Sequence, residues 1–366
     1  MIQRPEYLEK LKKFKDKELI KVVTGIRRCG KSTLLEMYKN HLMQIGVESD
    51  QIISVNLEDL KYNFIKDYMD LYNYINDKLE SDKKNYVFID EIQIIPNFQK
   101  VADSLYINKN VDLYITGSNA NLLSSELATL LSGRYIEIKM LPLSFKEYKE
   151  TINIDDLEEV YKRYISLSSF PYTLKLEEDE ISIYLGSLYN DIIIKDIMLR
   201  KGISDESMLR SVANFALDNI GNLVSTNSIA NTMTSDGRQI NVRTVEKYYV
   251  SDLGLRYFML GRKLGDRGHI LENIVYLELL RRGYEVYVGK VDDYEVDFVA
   301  INSSGKKYVQ VCETLKDNEN KILKRELNSL QRINDNYEKM ILTMDKIPIS
   351  NEEGIIVRNV LDWLLN

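Results

Sequence analysis

The chain has 366 residues, 44% apolar and 29% charged, with a formal net charge of −7 and a pI near 5.3. This is an ordinary globular composition with length for two or three domains, and its acidic balance excludes a surface coated with phosphate-binding side chains, so any nucleic-acid contact must be local. Only two cysteines (Cys29, Cys312) and two histidines (His41, His269) are present, which excludes a disulfide framework and a cysteine- or histidine-built metal centre. No apolar run approaches a membrane span, and the opening Met1-Ile2-Gln3-Arg4-Pro5 has no apolar leader, so a cytoplasmic protein without membrane contact is expected.

In chain order, Lys21-Val22-Val23-Thr24 reads as a buried strand and runs into Gly25-Ile26-Arg27-Arg28-Cys29-Gly30-Lys31-Ser32, which satisfies the G-x-x-x-x-G-K-[ST] pattern. Glycines let backbone N–H groups turn inward around phosphate oxygens, and the following helix aims its positive end at them. Lys31 adds a full charge, and Ser32 is expected to ligate Mg2+ together with an acid elsewhere. The residues expected to hold the nucleotide are Gly25, Arg28, Cys29, Gly30, Lys31, Ser32 and Thr33. The competing reading is a glycine turn that matches by coincidence.

Tyr86-Val87-Phe88-Ile89-Asp90-Glu91 is an apolar strand of the kind covered on both faces, and it ends in two acids. Asp90 is expected at the Mg2+ and Glu91 beside the water that attacks a γ-phosphate. A third strand, Val111 to Thr116, leads into Gly117-Ser118-Asn119, where Ser118 or Asn119 is expected near the γ-phosphate. Further on, Leu130-Leu131-Ser132-Gly133-Arg134-Tyr135 offers Arg134 either as a finger reaching a neighbouring subunit's nucleotide or as an ordinary surface arginine.

These motifs, with Pro142-Leu143-Ser144-Phe145-Lys146-Glu147-Tyr148, Phe170-Pro171, Tyr189-Asn190-Asp191, Lys195-Asp196-Ile197 and Asp252-Leu253-Gly254-Leu255-Arg256, resemble the prokaryotic AAA-type ATPases that carry a second domain of unknown function. The resemblance spans nearly the whole chain and implies ATP and Mg2+ as ligands. It equates Lys31 with the family's phosphate-binding lysine, Ser32 and Asp90 with its magnesium positions, Glu91 with its catalytic acid, Asn119 with its sensor and Arg134 with its finger. A finger acting on a neighbour implies a homo-oligomer.

Residues 151–204 read as a helical extension interrupted at Phe170-Pro171-Tyr172, which the resemblance makes a lid; Lys195, Asp196 and Arg200 are either nucleotide sensors or a solvated face. Residues 205–260 suggest a winged helix, with one helix from Ser207 to Ile220, a capped short helix over 225–231, and a second helix over 242–248. Such a helix would enter a DNA groove with Arg238, Arg243 and Lys247 against Asp236 and Glu246, or serve only for packing. Relatives carry a longer stretch before Lys247-Tyr248-Tyr249-Val250. Here Thr244-Val245-Glu246 abuts it, so either the wing is absent or the sequence omits a segment.

Residues 261–366 read as an α/β unit with a helix over 269–282, strands at 285–288, 295–300, 307–312 and 340–342, and a helix over 318–333. The order resembles the PD-(D/E)xK nuclease fold. Asp297 fills its first acidic position and Glu272 adds a helix carboxylate, but Gln310-x-Cys312 stands where an acid and a lysine are needed, so nuclease chemistry is not expected. The expected architecture is thus a P-loop, AAA-like α/β three-layer sandwich over 1–150, followed by lid, winged-helix-like middle and nuclease-like tail. The expected function is Mg2+-dependent ATP hydrolysis coupled to a DNA or protein partner; the alternative is a nucleotide-gated switch with slow turnover.

Overall fold

The computed structural model describes residues 2–118, 131, 133–198, 202–225, 245–261, 266–292, 294–317 and 321–366. The chain divides into two compact units, Met1–Pro142 and Leu143–Asn366.

The first unit opens with helix α1 (Pro5–Lys13), which has proline in its first turn, where a missing N–H costs nothing, and lysines in its last. Strand β1 (Ile20–Gly25) is buried throughout and leads through the glycine loop to α2 (Lys31–Gln44). Strand β2 (Ile52–Asn56), helix α3 (Tyr68–Asn76), β3 (Asn85–Asp90), α4 (Gln99–Ile107), β4 (Val111–Ser118) and β5 (Tyr135–Met140) follow. Asp67 starts α3 by accepting the N–H groups of Met69 (2.8 Å) and Asp70 (3.0 Å). The five strands form one parallel sheet in the order β2-β3-β4-β1-β5.

Alternation along these strands supplies both faces of the sheet. Val87 and Ile89 of β3 and Leu113 and Ile115 of β4 share one core with Leu71, Ile75, Val101 and Leu105. Phe88 and Tyr114 turn to the other, against Tyr7, Leu34, Tyr38 and Leu42, and their rings stack at 4.8 Å. One charged pair interrupts this apolar pattern. Lys21 of β1 and Asp112 of β4 form an ion pair with side chains 0% and 1% exposed. Asp112 also accepts from Tyr114 Oη and from the Asp16 N–H, both at 2.8 Å.

The second unit begins at α5 (Phe145–Thr151), started by reciprocal bonds between Ser144 and Glu147. Helices α6 (Leu157–Ser166) and α7 (Glu178–Asp191) follow, the latter running into a π-helical stretch over Ile192–Met198, and then α8 (Glu206–Asp218). The break expected at Phe170-Pro171 lies between α6 and α7. Strand β6 (Leu223–Ser225) pairs antiparallel with β7 (Val245–Lys247). This corrects the helix expected over 242–248: at 245–247 the chain is a strand, held by pairing to Leu223–Ser225. Seven residues rich in β-branched and aromatic side chains cannot declare their period without the partner strand. The expected contributions of Asp236, Arg238, Arg243 and Arg200 lie outside the described residues, as does the Lys195 side chain.

Two motifs that carried the family resemblance prove to be one structural joint. Helix α9 (Leu253–Leu260) starts at the buried Asp252, which accepts from the N–H and Oγ of Ser169, both at 2.7 Å, and from Leu255 N–H at 2.6 Å. A Cβ on Gly254 would lie 2.0 Å from the Ser168 nitrogen, so only glycine lets α9 approach the chain just before Phe170-Pro171. Helix α10 (Arg267–Arg281), strands β8 (Glu285–Val291), β9 (Tyr294–Asn302) and β10 (Gly305–Cys312), helix α11 (Lys321–Gln331), β11 (Glu338–Thr343), β12 (Ser350–Glu352), β13 (Ile355–Asn359) and α12 (Val360–Leu365) complete the unit. Their sheet runs β12-β13-β11-β10-β9-β8, with β10, β11 and β13 parallel and the remaining pairs antiparallel.

Candidate nucleotide-binding site

The glycine loop is shaped by what cannot fit there. A Cβ on Gly25 would lie 2.3 Å from the Met140 carbonyl oxygen, and Arg28 (φ 68°) and Gly30 (φ 106°) carry the chain through left-handed backbone. The first intrahelical bond of α2 runs from Leu34 N–H to the Gly30 carbonyl at 2.9 Å. The preceding amides of Lys31, Ser32 and Thr33 therefore open from the helix end, where its dipole is positive. Cys29 turns its side chain into the core, where burial pushes its thiol up, so it can serve a ligand only through its backbone. Its carbonyl accepts from the buried Arg4 at 3.1 Å, and Arg4 also donates to the Leu141 carbonyl at 2.8 Å, tying the loop to the end of β5.

Lys31 is buried, and its Nζ donates to the Gly25 carbonyl at 3.2 Å and stands 3.7 Å from Glu91 Oε1. Asp90 ends β3, and Glu91 follows in left-handed backbone at φ 54°. Thr116, fully buried in β4, couples the two acids through one hydroxyl: it donates to Asp90 Oδ1 and accepts the Glu91 N–H at 3.1 Å. Gln93 in turn donates through Nε2 to Glu91 Oε2. Ser32 and Thr33 are exposed at the start of α2.

These donors fit a magnesium ion. Asp90 keeps Oδ2 without a partner among the described residues, and no group of three or more His, Cys, Asp or Glu is gathered there for a metal. Magnesium in nucleotide sites is held by one or two protein oxygens with phosphate and water, which Ser32 and Asp90 would supply.

Arg134 lies elsewhere. Its carbonyl accepts from Ile20 N–H at 2.8 Å, its guanidinium pairs with Asp103 of α4, and it sits 5.5 Å from the Tyr106 ring centre. Strands β1 and β5 are in register from Ile20–Tyr135 to Gly25–Met140, so Arg134 and the glycine loop are at opposite ends of the sheet, about 20 Å apart along the strand. Asn119 lies outside the described residues. Ser118 closes β4 opposite Gly25, beside the loop.

In the second unit the structure brings Glu272, Asp297 and Gln310 together. Gln310 Oε1 accepts the Asp297 N–H at 3.1 Å, and Asp297 Oδ2 accepts the Val311 N–H at 2.8 Å. Lys247 Nζ stands 3.0 Å from Glu272 and 2.5 Å from Glu295, and Tyr249 donates to Glu272 at 2.5 Å. Burial and the Glu272 charge push Asp297 up to about 7. Burial would also raise Glu272, but His269, Lys247 and Tyr249 hold it below its ordinary value. The cation here is a lysine, and the Gln310 oxygen is spent on a backbone amide, so no nuclease-type metal site is assembled among the described residues.

Residues 17–149 match the family described as AAA domain. An uncharacterized protein of Haemophilus influenzae is 39% identical over 400 aligned positions covering 100% of this chain and 99% of its own length. The chain belongs to the same family as that protein and carries an AAA-type ATPase domain. The alignment is longer than the chain, so the relative has residues without a counterpart here. The uncharacterized protein MJ1544 of Methanocaldococcus jannaschii is 28% identical, over 92% of this chain and 86% of its own. Among solved structures, the Walker-type ATPase PABY2304 of Pyrococcus abyssi matches 71% of this chain and 96% of its own at 16% identity, with a TM-score of 0.46.

In the first unit, sequence reasoning missed Thr116, Gln93 and Arg4. Thr116 had a readable signal, a hydroxyl just before Gly117-Ser118 at the end of β4. Gln93 stands two residues after Glu91, with no role assigned to it from sequence. Arg4 had none, because its acceptors are carbonyls 25 and 137 residues away.

Proposed function

We propose that this protein is a Mg2+-dependent ATPase whose nucleotide cycle drives or gates contact with a DNA or protein partner. The observation that carries the reading is the grouping of Lys31, Asp90, Glu91 and Thr116 at one end of a parallel sheet, where such folds place ligands. In it the loop amides and Lys31 bind the β- and γ-phosphates, and Ser32 and Asp90 hold the metal. The bound ion neutralises charge on the phosphates. Glu91 accepts a proton from the attacking water.

The position of Arg134 supports an oligomer. At the far end of the sheet it cannot reach the phosphates of its own chain, whereas a neighbour's nucleotide is open to it. The Lys31–Glu91 approach favours a second reading, a switch with slow turnover. There, a γ-phosphate competing for Lys31 frees Glu91, so occupancy is reported as a rearrangement of the acid.

ATP hydrolysis by the wild type and by Lys31→Ala, each with and without DNA over a salt series, tests the proposal. Lys31-dependent hydrolysis stimulated by DNA at low salt supports a nucleic-acid partner. Hydrolysis indifferent to DNA points to a protein partner. Equal rates for wild type and Lys31→Ala would refute the ATPase. Glu91→Gln separates the two readings, since a permanently active variant means that occupancy rather than turnover is the signal.

A further inference from the structure

Gln93 follows the paired acids in the run Asp90-Glu91-Ile92-Gln93, and neither the phosphates nor the metal has a use for it. It sits in the short 3-10 turn Ile92–Ile94 immediately after Glu91. Its Nε2 donates to Glu91 Oε2, an assignment that chemistry requires, because a carboxylate has no proton to give. That leaves Oε1, a buried acceptor with no hydrogen-bond partner among the described residues. Buried acceptors are rarely left unmatched, and one beside a catalytic carboxylate points to a donor that arrives with the substrate.

Glu91 is fixed from several sides. Its backbone is left-handed, its N–H is bound by Thr116, one carboxylate oxygen faces Lys31 at 3.7 Å, and the other is held by Gln93. With Lys31 engaged by phosphate, Glu91 Oε1 and Gln93 Oε1 are two acceptors on adjacent side chains, and a water molecule has two protons to give.

We propose that Gln93 orients the water that attacks the γ-phosphate, holding Glu91 through Nε2 and accepting one proton of the water as a hydrogen bond at Oε1. This rests on reading the site as an ATPase. In the reaction the water oxygen forms a bond to the γ-phosphorus while the bond from that phosphorus to the β–γ bridging oxygen breaks, its electron pair leaving with ADP. One water proton passes to the Glu91 carboxylate. The other stays on the attacking oxygen, hydrogen-bonded to Gln93, and ends on inorganic phosphate.

The experiment compares steady-state ATP hydrolysis by wild type, Gln93→Met, Gln93→Glu, Glu91→Gln and the Glu91→Gln/Gln93→Met double variant. The affinity of each for a fluorescent ATP analogue and its thermal unfolding are measured alongside. The expected result for Gln93→Met is a kcat at least tenfold lower with analogue affinity within twofold of wild type, because Gln93 acts on the water and on Glu91 but not on the phosphates. Gln93→Glu, of equal length, keeps an acceptor but loses the donor and repels Glu91, so it too is expected to be slowed. In the Glu91→Gln background the Gln93→Met change is expected to cost no further rate, since the group it positions is already gone. A merely structural role would lower kcat, affinity and unfolding temperature together and would add to Glu91→Gln. That pattern, or wild-type kcat in both Gln93→Met and Gln93→Glu, overturns the proposal while leaving the ATPase reading intact. Absence of Lys31-dependent hydrolysis in the wild type removes both.

Discussion

Thr116→Val is a near-isosteric change that tests how the two acids are held. The residue is fully buried and its hydroxyl makes two bonds, one to the Asp90 carboxylate and one from the Glu91 N–H at 3.1 Å. A bond to a charged group contributes about 1.5–3 kcal/mol and a neutral one about 0.5–1.5 kcal/mol. Valine fills the same volume and suits a strand, so no cavity cost is added. The expected destabilisation is therefore about 2–4.5 kcal/mol, a fall of roughly 5–15 °C in unfolding temperature. The effect on chemistry is expected to be larger, because Asp90 and Glu91 lose their common anchor, and a displacement of about 1 Å costs on the order of 100-fold in rate. Denaturant unfolding and a Mg2+ titration of ATP hydrolysis read both quantities. The variant should need more Mg2+ for half-maximal rate and lose kcat, while nucleotide affinity without metal stays near wild type because Lys31 and the loop are untouched. A variant with wild-type stability and wild-type Mg2+ dependence would refute the reasoning.

The Lys21–Asp112 pair is buried deeply enough that Asp112→Asn is expected to cost about 3–5 kcal/mol by leaving a lysine uncompensated, measurable by chemical denaturation. Burial already holds Lys21 below its ordinary value, so the unfolded chain binds more protons just below pH 10.5 and stability should rise with pH there. In the variant that rise should begin at lower pH. In the second unit Asp297 is raised, so its contribution is fully present below the ordinary aspartate range and is lost as pH climbs through about 7. Asp297→Asn should flatten this loss in unfolding measured from pH 4 to 8. Arg134→Ala removes a half-exposed ion pair with Asp103 and the contact with the Tyr106 ring, and should cost no more than about 2 kcal/mol in unfolding experiments. If the finger acts on a neighbour, the same change should nonetheless abolish the concentration-dependent part of ATP hydrolysis.

By itself the sequence determined the parts whose chemistry is local. The glycine loop, the apolar strands at 20–25, 85–90 and 111–118, the acids ending the second of them, and the amphipathic helices of the tail each carry their evidence within a dozen residues, because strand and helix periods and phosphate-binding turns are short-range properties. The sequence could not determine which polar groups meet. Thr116 reaches Asp90 because β3 and β4 are neighbours in register, Arg4 reaches the loop across 25 residues, and Lys21 finds Asp112 across 91. Residues 245–247 became a strand only because 223–225 lie alongside, and Lys247 entered the Glu272 cluster with them. Such contacts depend on strand order and register, which are settled by burial of whole faces rather than by any local run. The placement of Arg134 is of the same kind: a residue 109 positions from Gly25 in sequence lies at the opposite end of the sheet because β5 runs parallel to β1, a direction no local run of residues reveals.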